Sequence, residues 1–151
     1  MGYLSADKLH AALQKKIGTV MYLYSTCKFL PDEPSFNVVA EIKGSEFPNE
    51  YLIAGGHLDS WDNGEGAHDD GAGVVQCIAL LQMYKNMGIR PKHTIRAVAF
   101  MNEENGLAGG KAYADYAVAN KEKHLCALET DAGGFSPRGF NIDTLNGLYK
   151  Q

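Results

Sequence analysis

The chain has 151 residues, 45% of them hydrophobic and 21% charged, with a formal net charge of −4. That is enough apolar sequence for one globular core. An acidic balance with no Lys/Arg cluster longer than a pair argues against a nucleic-acid surface, and no apolar run approaches the ~20 residues of a membrane span.

The first helix is predicted from Ser5 as N-cap to about Lys16, with Leu4 and Leu9 placed as a hydrophobic staple. Gly18 ends it, and Thr19–Tyr24 reads as a β-rich run. Lys28–Ser35 carries Pro31 and Pro34 and reads as a linker or an irregular strand edge, with a domain boundary expected near residue 35. Met1–Lys8 lacks the basic-then-apolar pattern of a secretory signal.

Phe36–Ile42 is expected as a strand, Lys43–Asn49 as a turn and Tyr51–Gly55 as a second, almost wholly apolar strand. Such a run suits a strand covered on both faces. The two strands together suggest a hairpin leading into a loop dense in Asp, His and Gly, Gly55–Gly73. Asp70 then reads as a helix cap, and Val74, Cys77, Ile78 and Leu81 form one apolar face of the helix it starts. Gly88 and Pro91 close that helix. Thr94–Met101 is the next strand, Leu107–Asn120 a further helix and Leu125–Thr130 a last strand. Cys27, Cys77 and Cys126 form no CxxC pattern and are expected as three buried thiols.

The resulting order, β-β-α-β-α-β, predicts an α/β sheet with helices packed on its faces. Ligands of such sheets sit beyond the carboxyl ends of the strands. Three successive strands end in metal-type donors here: at His57, at Glu103-Glu104 and at Asp131. A ligating imidazole needs its other ring nitrogen tied down, and Asp59 lies two residues from His57. Asp69 offers a carboxylate on a tight turn, while Asp70 alone suffices as cap. Adjacent Glu103 and Glu104 point in different directions, so one can bind a metal while the other serves as general base for an activated water. Asp131 reads as a further carboxylate ligand, or as a turn-forming residue before Gly133-Gly134. His10, His68, His93 and His124 receive no role. Trp61 either lines a pocket or covers the loop.

The segments His57-Leu58-Asp59-Ser60, Gly66-Ala67-His68-Asp69-Asp70-Gly71-Ala72-Gly73, Asn102-Glu103-Glu104-Asn105-Gly106-Leu107 and Glu129-Thr130-Asp131 together resemble the di-zinc M28 metallopeptidases. The Ser-Trp-Asp-x-Gly-x-Gly-Ala-x-Asp-Asp-Gly form is most like the plasma glutamate carboxypeptidase branch. His57, Asp69, Glu104 and Asp131 follow at intervals of 12, 35 and 27 residues, which fits the family order.

The resemblance implies a three-layer α/β/α zinc-exopeptidase sheet, incomplete at its C-terminal side. Residues 36–151 would be the N-terminal part of the catalytic domain, and residues 1–35 the tail of a preceding or inserted domain. Asp69 would bridge two zinc ions, His57 and Asp131 would complete one site, and Glu104 would bind the second metal. Glu103 would be the general base acting on the bridging water, and Asp59 would orient His57. The Asp69–Asp70 peptide is often cis in this family.

The family's fifth ligand, a later His, has no counterpart, because no His follows His124. The expectation is therefore a fragment of a longer enzyme that holds one zinc or none and is inactive alone. Its exposed sheet edge would favour a homo-oligomer. Short peptides are the implied substrate, with no nucleic-acid or membrane partner, and the implied location is secreted or periplasmic. A non-catalytic peptidase-like binding domain is the alternative, or a metal-dependent amidase or phosphoesterase using the same carboxylates.

Overall fold

A computed structural model describes residues 3–15, 18 and 20–143. The chain separates into two compact units, Met1–Glu33 and Pro34–Gln151.

Among its described residues the first unit holds one helix, α1 (Tyr3–Lys15). It begins before Ser5, so Ser5 lies inside the first turn and does not cap it. Lys16 and Thr19 lie outside the described residues. Residues 20–24 form no strand. Their β-branched and aromatic side chains favour a pleated surface only where a partner strand supplies the ladder. Val20, Tyr22 and Leu23 are instead exposed.

The second unit is a four-stranded sheet built from β1 (Val38–Ile42), β2 (Phe47–His57), β3 (His93–Phe100) and β4 (Lys123–Glu129). The spatial order is β1-β3-β2-β4. Strand β2 runs parallel to both β3 and β4, while β1 is antiparallel to β3.

The expected β1–β2 hairpin does not form, because β3 lies between the two strands. The link between them is stitched across the start of β3. Ser45 N donates to Pro91 O at 2.8 Å, and Glu46 N and Phe47 N donate to Lys92 O at 3.1 and 2.8 Å. This leaves the apolar stretch Tyr51–Gly55 of β2 flanked by two parallel neighbours, where a continuous apolar run belongs.

Two helices cover opposite faces. On one, α2 (Ala72–Asn86) packs Cys77, Leu80 and Leu81 on Ala54 and Ala97. On the other, Tyr113 of α3 (Ala108–Ala119) packs with Tyr51, Ile53, Val98 and Phe100. Neighbouring residues 53/54 and 97/98 point to opposite faces, as pleating requires. The result is three layers, α/β/α.

The α3 face also buries a charge. Arg96 in mid-β3 lies over the Tyr51 ring at 4.1 Å. It donates to Glu41 Oε2 at 3.1 Å, to Tyr113 Oη at 2.9 Å and to both oxygens of Glu122 at 2.8 and 3.1 Å. Burial disfavours the charged guanidinium, but Glu122, Tyr113 and Glu41 more than offset it, and its pKa is raised. Through Glu41 the cluster ties β1 to β3.

Among the described residues, no strand pairs with the outer edge of β1 or β4. Leu125 and Leu128 on β4 remain 43% and 53% exposed. The three thiols are accordingly not all buried. Cys77 is inside, and burial raises its pKa to about 11. Cys126, on the uncovered edge strand, and Cys27, in the first unit, are exposed.

Candidate metal centre

Because β2, β3 and β4 are parallel, their carboxyl ends lie together, and His57, Glu103-Glu104 and Asp131 arrive at one end of the sheet. His57 is the last residue of β2 and is 1% exposed. Its Nε2 lies 3.0 Å from Asp69 Oδ1, 3.7 Å from Asp131 Oδ1 and 3.9 Å from Glu103 Oε2. Among the described residues, His57, Asp69 and Asp131 form one group whose donor atoms all lie within 4.8 Å of one another.

The imidazole is held from behind. Its Nδ1–H donates to the backbone carbonyl of Asp59 at 2.9 Å, which turns Nε2 toward the carboxylates. Burial disfavours the charged ring, but the Asp59 carbonyl and the Asp69 carboxylate outweigh it, and the His57 pKa is raised.

The Asp59 carboxylate itself faces elsewhere. Its Oδ1 is 3.7 Å from His57 Nδ1, too far for a hydrogen bond. Instead Oδ1 accepts from Glu103 N at 2.9 Å and Oδ2 accepts from Glu104 N at 3.1 Å. One aspartate thus orients the imidazole with its main chain and the glutamate pair with its side chain.

Asp69 sits in a wide turn, Ala67–Gly71, closed by Gly71 N donating to Gly66 O at 2.6 Å. The Asp69–Asp70 peptide bond is cis. Asp70, 1% exposed, does two things. Its Oδ1 accepts from Gly73 N at 2.9 Å, the cap-type bond the sequence suggests, and its Oδ2 accepts from His57 N at 2.9 Å. The second bond, across 13 residues, pins the end of β2 to the start of α2. Burial is the main reason the Asp70 pKa is raised.

Glu104 presents a buried Oε1 with no hydrogen-bond partner. Burial first, then the charge of Asp69, raises its pKa. A buried carboxylate oxygen left unpaired beside other carboxylates is costly unless a cation completes it. The donor set, one imidazole with several carboxylates, suits zinc. The residues present therefore fit a metal.

Two contributors escaped sequence reasoning. Glu129 stands two residues before Asp131; burial, followed by the charges of Asp131 and Glu103, raises its pKa. Its place as the last residue of β4, just before the Asp131 loop, was the available signal. Gln76 contacts the Asp131 loop from α2, and nothing in its helical position announces that. Of the remaining histidines, His68 lies beside the Phe135 ring, with 5.8 Å between ring centroids. His93 stacks on Phe47 and His124 on Tyr113. Trp61 is exposed.

Comparison with known proteins agrees with this geometry. Residues 37–150 match the model of peptidase family M28. Carboxypeptidase Q of Rattus norvegicus is 44% identical over 123 residues, 82% of this chain and 26% of that protein. Carboxypeptidase Q of Homo sapiens is 38% identical over 142 residues, 94% of this chain and 28% of that protein. The crystal structure of a peptidase M28 precursor from Shewanella amazonensis SB2B superposes with a TM-score of 0.58 at 46% identity, over 64% of this chain and 22% of that one. The chain thus spans about a quarter of the length of these relatives. With the family model covering most of the sequence, the fold shared with a solved member and the acidic strand ends converging as described, the chain belongs to peptidase family M28.

Proposed function

We propose that the chain carries the metal-binding part of a zinc-dependent exopeptidase acting on short peptides. The observation that carries this reading is the convergence of His57, Asp69 and Asp131 at the carboxyl ends of parallel strands, with Glu103 3.9 Å from the same imidazole nitrogen. His57, Asp69 and Asp131 would hold one zinc, and Asp69 and Glu104 a second. Zinc held there would supply the Lewis acidity that polarises a scissile carbonyl and acidifies the attacking water.

The residues divide the remaining work. Glu103, partly open to solvent, takes the proton of the attacking water on its side-chain carboxylate and delivers it to the leaving amine. Asp59 fixes the Glu103-Glu104 backbone, so the two carboxylates keep separate tasks. Asp70 and the Asp59 carbonyl keep the imidazole still.

Among the described residues the second position has two protein donors. The 151-residue chain alone accordingly holds one zinc or none and turns over little peptide. Location outside the cytoplasm, secreted or periplasmic, and self-association through the outer edge of β4 complete the proposal. No helix among the described residues is long and apolar enough to cross a membrane.

The test is zinc titration of the purified chain with a parallel peptidase assay. About one equivalent or less, bound markedly more weakly in Asp131→Ala, is the expected result. Binding unaffected by removal of His57, Asp69 and Asp131 in turn would overturn the assignment, and robust turnover by the chain alone would overturn the claim that it is incomplete.

A further inference from the structure

The loop after β4 carries Asp131, yet the strand does not hold it there. Its last ladder bond is Thr130 N to Gly55 O at 3.0 Å. The Asp131 carboxylate bonds only the next backbone N–H, of Ala132, and its side chain is 50% exposed. Beyond Thr130 the loop rests on the start of α2 and on the turn before it.

Gln76 spans the loop on both sides of Asp131. Its Oε1 accepts from Thr130 Oγ1 at 3.3 Å, and its Nε2 donates to Gly133 O at 3.4 Å. From the other side the His68 ring lies against Gly133, whose φ is +120°; a Cβ there would overlap the ring atoms. Gly73 approaches Thr130 O so closely that a Cβ would overlap that oxygen too. Gln76 is exposed in the middle of a helix, where Ala is the better former, so the fold itself does not call for an amide. An amide can nevertheless accept from a hydroxyl on its oxygen and donate to a carbonyl from its nitrogen at once.

We infer that Gln76 is a positioning residue: by clasping Thr130 and Gly133, with His68 closing the other side, it holds Asp131 facing His57 and Asp69. This rests on the reading of those three residues as metal ligands. Partners behind a ligand typically change metal affinity about 10–100-fold. These contacts are long and solvent-accessible, so the lower end applies.

The experiment is calorimetric zinc titration of the full chain carrying Gln76→Ala, Thr130→Val, Asp131→Ala, or Gln76→Ala with Asp131→Ala. Gln76→Ala is expected to weaken zinc binding about tenfold, and Thr130→Val, which removes one of the two contacts, about threefold. In the Asp131→Ala background the Gln76 substitution should make no further difference, because there is no longer a ligand to position. Zinc affinity unchanged in Gln76→Ala and Thr130→Val overturns the inference. So does an equal loss with and without Asp131, which would mark a general effect on the helix. If Asp131→Ala alone binds zinc like the parent, the ligand assignment itself fails and this inference falls with it.

Discussion

The side-chain carboxylate of Asp59 accepts the backbone N–H of Glu103 at 2.9 Å, and its second oxygen accepts that of Glu104 at 3.1 Å. The contact reaches from the loop after β2 to the loop after β3, so the glutamate pair is aimed by a residue that follows the neighbouring strand. Asn at this position keeps one acceptor but turns an N–H₂ toward the other N–H. Asp59→Asn is therefore expected to destabilise the chain by about 1–3 kcal/mol, the cost of one unsatisfied, largely buried donor. Urea denaturation with an unchanged slope and a lower midpoint would register it. A midpoint equal to the parent's would mean the clamp carries no energy.

Asp70 offers a sharper case, because it is almost fully buried and both oxygens are in use. Asp70→Ala orphans His57 N and Gly73 N together. At about 1–3 kcal/mol for each unsatisfied group, the expected loss is about 3 kcal/mol or more. Amide hydrogen exchange gives the local answer. The His57 and Gly73 amides should exchange faster, while amides in the middle of β3, away from the substitution, should follow only the global change. Uniform acceleration would show that Asp70 acts on the whole fold and not on the junction of β2 and α2.

The strand ends that bear the candidate donors could be read from sequence because each follows an apolar run, and position after a buried strand is a local property. His57, Glu103-Glu104 and Asp131 are legible in this way. Their mutual distances are not, since three strands must first lie parallel. Strand order failed for a related reason. Phe36–Ile42 and Tyr51–Gly55 are close in sequence and a hairpin is the local solution, but the bonds from Ser45, Glu46 and Phe47 to Pro91 and Lys92 are non-local and exclude it. Asp59 was readable as a support for His57, yet its carboxylate bonds lie 44 and 45 residues away and involve backbone groups that leave no mark on side-chain pattern. Residues 20–24 show the converse, β-type residues with no partner strand among the described residues.

The cluster around Arg96 gives a pH dependence. The guanidinium beside Glu122 holds that carboxyl below its ordinary value of 4.5, against the opposing effect of burial. His124 Nε2, 3.2 Å from Glu122 Oε2, faces the same group, and Glu41 faces Arg96 from β1. A depressed pKa contributes stability that is present above the ordinary value and is lost as pH falls through the folded-state value. The denaturation midpoint should therefore decline below about pH 4.5. Glu122→Gln is expected to cost about 3 kcal/mol at neutral pH, because it leaves a buried cation with one fewer partner. It should also flatten the acid limb of the profile. A variant whose acid limb is as steep as the parent's would assign the loss to other carboxylates.

The two adjacent glutamates should separate experimentally into a ligand and a base. Glu104 carries the buried, unpartnered oxygen and lies close enough to Asp69 to feel its charge. Glu103 is partly exposed and stands 3.9 Å from His57 Nε2. Removing a ligand changes metal content, whereas removing a base leaves metal content and lowers the rate. In any preparation that holds both zinc ions, Glu104→Gln is thus expected to reduce the zinc retained after dialysis, and Glu103→Gln to leave it unchanged. In any preparation that hydrolyses peptide, Glu103→Gln should lower kcat about 10²–10⁴-fold with little change in KM, the signature of a group that acts only in the transition state. Metal content by atomic spectroscopy, measured on the same samples as the rates, decides the matter. If Glu103→Gln loses zinc and Glu104→Gln keeps it, the two roles are exchanged. The backbone bonds from Asp59 would then aim the opposite carboxylate at the metal.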